Sequence, residues 1–135
     1  MDINDIIKIV YISDNLTYDI TDNYYILDKR YKKPGRYNLM LNKEQILLIK
    51  ETIIDEQLYK LNDSSKYVKS CRTVCLSEII LQYKSGRKQH FIFDNYNYID
   101  NFNNKSYRKI INLEKIIMKI IMTNVEEPQP IKVYL

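Results

Sequence analysis

Residues 77–94 read SEIILQYKSGRKQHFIFD, two arms rich in β-branched and aromatic residues on either side of Ser85-Gly86. Such arms, divided by a turn signal, predict a β-hairpin. Its register follows from side-chain chemistry. A two-residue loop would set Lys84 directly against Arg87, opposing like charges, and would mix polar and apolar side chains on both faces. A three-residue loop with Gly86 in the left-handed conformation removes both faults. Ile79, Leu81, Tyr83, Phe91 and Phe93 then share one face, and Glu78, Ile80, Gln82, Lys88, His90 and Ile92 share the other. A sheet with one apolar side needs a second layer to cover it.

Two segments can supply that layer. Asn42 is a good N-cap, Gln45 completes a capping box, and Leu41 and Ile46 occupy hydrophobic-staple positions. Downstream, Ile46, Leu47, Ile49, Ile53, Ile54 and Leu58 fall on one helical face, with Leu48 off the stripe. The second helix is expected over residues 106–122. Tyr107, Ile110, Ile111, Leu113, Ile117, Met118, Ile120 and Ile121 form its apolar stripe, opposite Arg108, Asn112, Lys115 and Lys119.

The first third of the chain predicts an antiparallel meander with strands over residues 6–12, 16–20, 24–30 and 36–41. Ser13-Asp14-Asn15 and Thr21-Asp22-Asn23 mark turns, and Pro34-Gly35 suits the centre of a type II turn. Residues 62–74 read as a surface loop. The expected architecture is α+β: a mostly antiparallel sheet, made of the N-terminal meander and the hairpin of the C-terminal half, with two helices packed on one face. Residues 1–124 form a single domain. Residues 125–135, with Pro128 and Pro130, form an extended tail whose last five residues could add an edge strand or dock on a partner.

Composition narrows the function classes. The chain has 135 residues, 45% of them hydrophobic and 28% charged, the make-up of one globular domain. It has no Ala and no Trp but 13 Tyr. Abundant Ile, Asn, Lys and Tyr reflect low-GC coding, as in bacterial or viral genomes of that type. The net charge of +4 favours anionic partners slightly and falls short of a dedicated nucleic-acid domain. No apolar run reaches bilayer length, and residues 1–5 hold no basic-then-apolar leader. A cytoplasmic protein is expected, or a mature exported one in which Met1 replaces a removed leader. The sequons at Asn15, Asn62 and Asn104 are those an Asn-rich chain produces by chance.

Few residues suggest chemistry. Cys71 and Cys75, with His90 as the single histidine, supply at most three soft metal ligands where structural zinc takes four. Both cysteines read as reduced thiols, and neither a metal nor a cofactor is expected. Asp14, Asp19 and Asp22 lack the glycine and distal glutamate of a calcium loop. On the argued register His90 lies diagonal to Glu78, with Lys88 and Asp94 on the same face. This is the one acid–base group the chain can build, and neither a nucleophile beside it nor a phosphate-cradling loop is evident.

Aromatic residues are more suggestive. Tyr96, Tyr98 and Phe102 crowd one polar segment, followed by Lys105 and Arg108. Tyr, Phe and Arg are favoured in protein interfaces. The expected function is a non-catalytic protein-interaction module, of inhibitor or immunity type, binding another protein through these five residues. The alternative is single-stranded nucleic-acid binding, because aromatics interleaved with cations suit it, and basic residues also gather at 29–36 and at Lys84, Arg87 and Lys88. A third reading is a small enzyme using His90 and Glu78.

Overall fold

The computed structural model describes residues 1–14, 16–67, 76–94 and 103–125. In chain order the elements are β1 (Ile6–Ser13), β2 (Leu16–Asp19), β3 (Tyr24–Leu27), β4 (Gly35–Asn38), α1 (Lys43–Asp55), β5 (Ser64–Tyr67), β6 (Leu76–Tyr83), β7 (Lys88–Asp94) and α2 (Lys105–Asn124). Single 3-10 turns occupy Ile3–Asp5 and Leu58–Lys60. The strands form one seven-stranded sheet in the order β4-β3-β2-β1-β6-β7-β5. Every neighbouring pair is antiparallel except β5 and β7. The fold is α+β.

The β6–β7 hairpin adopts the three-residue loop. The amide of Tyr83 donates to the carbonyl of Arg87, the amide of Gly86 donates to that of Tyr83, and Gly86 has φ +93°. Ile79 pairs with Phe91, and Ile79, Leu81, Tyr83, Phe91 and Phe93 are all buried. β1 continues this face with Ile9 and Tyr11.

Both helices pack there. The Asn42–Gln45 capping box forms, with each side chain bonded to the other residue's amide. Ile49 and Ile53 are buried, while Leu48 stays exposed. Leu47, expected on the buried stripe, is instead 38% exposed, at the margin of the contact. In α2 the tyrosine hydroxyl of Tyr107 donates to the Asp94 carbonyl at 2.6 Å, pinning the helix start to the end of β7. Glu114 accepts a 2.7 Å bond from the buried Tyr11 hydroxyl. Asn112 and Asn124 donate to Glu56 and Gln45, tying the two helices side by side.

Tyrosines also run across the helix side of the meander. Tyr11, Tyr18, Tyr25 and Tyr37 are direct cross-strand partners, with successive ring centroids 5.9, 6.0 and 5.4 Å apart. Tyr11 and Tyr18 are buried, whereas Tyr25 and Tyr37 are partly exposed.

Two further expectations need correction. β3 stops at Leu27 and β4 starts at Gly35, so residues 28–34 form a broad loop rather than a tight type II turn. Tyr31 explains the difference: it is buried, and its hydroxyl reaches back to the Asp14 carbonyl. The loop must widen to bring that ring inside. Second, the segment taken as surface loop contains β5, a polar edge strand parallel to β7. The tail expectation for 126–135 lies outside the described residues.

A buried polar cluster anchors the segment after α1. Gln89 is fully buried, donates to the carbonyls of Leu58 and Leu61 at 3.0 and 2.9 Å, and accepts from the Tyr83 hydroxyl. Arg87 adds bonds to the carbonyls of Tyr59 and Leu61 and an ion pair to Asp63. Without the Gln89 amide, the Leu58 carbonyl and the Tyr83 hydroxyl would be buried without these partners, at roughly 1–3 kcal/mol each. Gln89→Leu should therefore lower unfolding free energy by about 2–4 kcal/mol in urea titration. A loss under about 0.5 kcal/mol would contradict this role for the cluster.

Burial and the nearby Glu114 charge push the Tyr11 hydroxyl well above its ordinary value of 10.0, and burial pushes Tyr83 up to about 12. The folded chain thus keeps protons that the unfolded chain releases. Their contribution to stability is fully present below pH 10 and is lost as pH rises through the raised folded values. Thermal melts from pH 9 to 11.5 should show the midpoint falling above pH 10, with a smaller fall in Tyr11→Phe. A flat profile over that range would contradict the argument.

Candidate functional site

The sheet has a second side, turned away from both helices. Strand alternation places Lys8, Val10 and Ile12 of β1 there, beside Gln82, Ile80 and Glu78 of β6. From β7 come Lys88, His90 and Ile92, and from β5 come Ser64 and Lys66. Val10 pairs directly with Ile80, and Ile12 and Ile92 flank Glu78 from its two neighbouring strands. Val10, Ile12, Ile80 and Ile92 are each partly exposed. Four aliphatic side chains thus share this side of three neighbouring strands, with Glu78 set between Ile12 and Ile92.

The acid–base pair expected from the register is present on this side. His90 Nε2 lies 2.7 Å from Glu78 Oε1, and the two side chains are 38% and 32% exposed. Ser64 is the direct register partner of His90 on β5, yet no hydrogen bond joins its hydroxyl to the ring. Lys88 is exposed on the same face, whereas Asp94 is fully buried at the end of the strand. The arrangement is an imidazole–carboxylate pair on a strand surface. Among the described residues, the pair makes no hydrogen bond to the Ser64 hydroxyl beside it. Partly exposed polar pairs of this kind contribute little to stability, about 0–1 kcal/mol.

Ion pairing on this side is uneven. Asp19, 2% exposed, accepts an ion pair from Lys8 at 2.8 Å, and Lys8 also reaches Asp22 at 3.1 Å. These bonds to Asp19 and Asp22 hold the Lys8 ammonium well above its ordinary titration range. Glu78 is occupied by His90. Lys66 and Lys88 are exposed and form no ion pair among the described residues. The named charges balance in number, three lysines against Asp19, Asp22 and Glu78, but the carboxylates are engaged whereas Lys66 and Lys88 have no ion pair among the described residues.

Of the five residues expected to bind a partner, Tyr96, Tyr98 and Phe102 lie outside the described residues, as do Cys71 and Cys75. Lys105 and Arg108 stand in the first turn of α2. With Lys109, Asn112 and Glu56 they line an open groove of about 400 Å³ between the helices. That groove is on the helix layer, distant in topology from the His90–Glu78 pair, so the sequence-derived residues divide between two regions. A second shallow groove, of about 380 Å³, runs between Ile3–Asn4 and the start of α1. Among the described residues no group of three or more His, Cys, Asp or Glu side chains could hold a metal ion. No helix among them is long and apolar enough to cross a membrane.

The aliphatic patch was missed in the sequence because IIKIVYIS carries apolar residues on both faces of β1. Alternation then marks no solvent side. Pairing Val10 with the hairpin's second face would have revealed it. Compared with known proteins, the chain finds no counterpart: no protein family, no curated protein and no solved structure matches it.

Proposed function

We infer that this domain is a non-catalytic interaction module that takes a protein partner on the helix-free side of its sheet. The observation that carries the reading is the patch of Val10, Ile12, Ile80 and Ile92, rimmed by the cations Lys66 and Lys88. An apolar centre with a polar rim is the anatomy of a protein interface. Because the carboxylates of this side are already engaged by Lys8 and His90, the complementary surface is one with an apolar centre and acidic rim. A role as an inhibitor or immunity-type protein fits: such a protein works by covering its partner's surface and needs no chemistry of its own. The open His90–Glu78 pair, with no nucleophile hydrogen-bonded to it among the described residues, favours binding over catalysis.

A photo-crosslinking residue at position 80, compared with one at exposed Lys119 on α2, tests this in the native cell. One acidic protein should be captured from position 80 and not from 119. Ile12→Lys should weaken its affinity at least tenfold while leaving the circular dichroism unchanged, as expected where a charge replaces one of the patch's aliphatic side chains. Capture only of a second copy of this chain, or equal capture from both positions, would overturn the reading.

A further inference from the structure

The whole net charge of the chain resides in one hairpin. Residues 24–38 hold five of the 21 basic side chains and one of the 17 acidic ones, while the other sixteen of each sign cancel. The five are Lys29, Arg30, Lys32, Lys33 and Arg36, and all are exposed. The lone carboxylate, Asp28, is clasped by Arg30, whose Nε lies 2.9 and 3.1 Å from its two oxygens. Those hydrogen bonds hold Asp28 down to about 2, so it stays an engaged anion throughout the physiological range. Lys29, Lys32 and Lys33 make no ion pair among the described residues.

Aromatic rings stand among these cations. On one face of the hairpin the Arg36 guanidinium lies 3.7 Å from the centroid of the Tyr24 ring. On the other, Tyr37 is the last ring of the four-tyrosine stack, 5.4 Å from Tyr25 and tilted by 21°. Among the described residues β4 is the edge strand, and no further strand carries a ring beyond Tyr37. Gly35, two positions before it, has φ +144°, and a Cβ there would lie 3.8 Å from Tyr37 Cε2. Glycine therefore keeps this flank of the ring clear of a side chain. The Tyr37 hydroxyl donates to the Lys33 carbonyl at 2.6 Å, holding the lysine-bearing loop beside the ring.

We propose that the β3–β4 hairpin binds single-stranded nucleic acid, with bases continuing the tyrosine stack at Tyr37 and phosphates drawn to Lys29, Lys32 and Lys33. Planar rings at a sheet edge match exposed bases, and lysines on flexible stems match a backbone whose phosphates vary in position. A duplex keeps its bases stacked on each other and out of reach of such rings. An acidic protein would satisfy the lysines but would leave the end of the stack without a planar partner.

Fluorescence anisotropy with labelled oligo(dT) of about 12 nucleotides provides the test, since single-strand sites span roughly 4–16 nucleotides. Three to five phosphate contacts should give a slope of log affinity against log salt of about −2 to −3.5. An abasic oligonucleotide of equal length should bind at least about fivefold more weakly, the loss expected from one stacked base. Lys32→Glu with Lys33→Glu, both on exposed side chains, should reduce affinity more than tenfold and flatten the salt slope. Ile80→Lys, on the opposite side of the central sheet, should leave it unchanged, which separates this surface from the protein-binding one. Equal affinity for abasic and base-bearing strands would overturn the proposal, leaving a general polyanion site. Binding to vesicles of phosphatidylserine and phosphatidylcholine but not to oligo(dT) would overturn it in favour of a membrane surface. No binding at low salt would also overturn it, reducing Lys32 and Lys33 to guards of a sheet edge.

Discussion

At Gly86 the chain reverses with φ +93°, and the Tyr83 amide closes onto the Arg87 carbonyl. That closure fixes which residue of β7 meets which residue of β6. A slip of one position would turn Phe91 and Phe93 to solvent and bring His90 and Ile92 inside. The core, the helix layer and the composition of the opposite face all rest on this register. So does the Glu78–His90 contact, which needs the two residues on diagonal positions of neighbouring strands.

The same register explains why the helix layer tolerates buried polar groups. Gln89 falls on the inner face by alternation, where a polar side chain would be costly. It is accommodated because the turn at Leu58–Lys60 brings two backbone carbonyls to its amide, while Tyr83 satisfies its oxygen. Glu114 is handled in the same way by Tyr11. Each polar group does two jobs: it meets its own hydrogen-bonding need and ties a helix or loop to one position on the sheet. Apolar packing alone, which is less directional, would allow those elements to slide.

Much of this was legible in the amino-acid order. The hairpin register could be read because Lys84 and Arg87 repel in the wrong alignment, and α1 could be read because Asn42 and Gln45 cap it. The Glu78–His90 pair followed from that register without further information. What could not be read depends on distant partners. β5, with the sequence SSKY, has no apolar periodicity; its backbone pairing with β7 makes it a strand, and the Tyr67 ring meets the Tyr107 ring. The width of the β3–β4 loop is set by Tyr31 reaching the Asp14 carbonyl, a bond across 17 positions that no local pattern encodes. The basic residues of that loop were visible in the sequence, but the alignment of Tyr37 at the end of a stack was not.

The position of β1 in the sheet also bears on assembly. Tyr11 pairs with Tyr18, seven positions on, and with Ile79, sixty-eight positions on. Closing the longer connection costs about 2 kcal/mol more in chain entropy than closing the shorter one. The N-terminal meander and the β6–β7 hairpin each pair near neighbours, and their joining at β1 is the pairing that carries the larger loop-closure cost. Until it occurs, one edge of β1 offers unpaired amides and carbonyls beside Ile9 and Tyr11. A β6 strand from a second nascent chain has the same side chains in the same order. Strand exchange between copies is therefore the characteristic misassembly open to this topology, and it grows with concentration during synthesis.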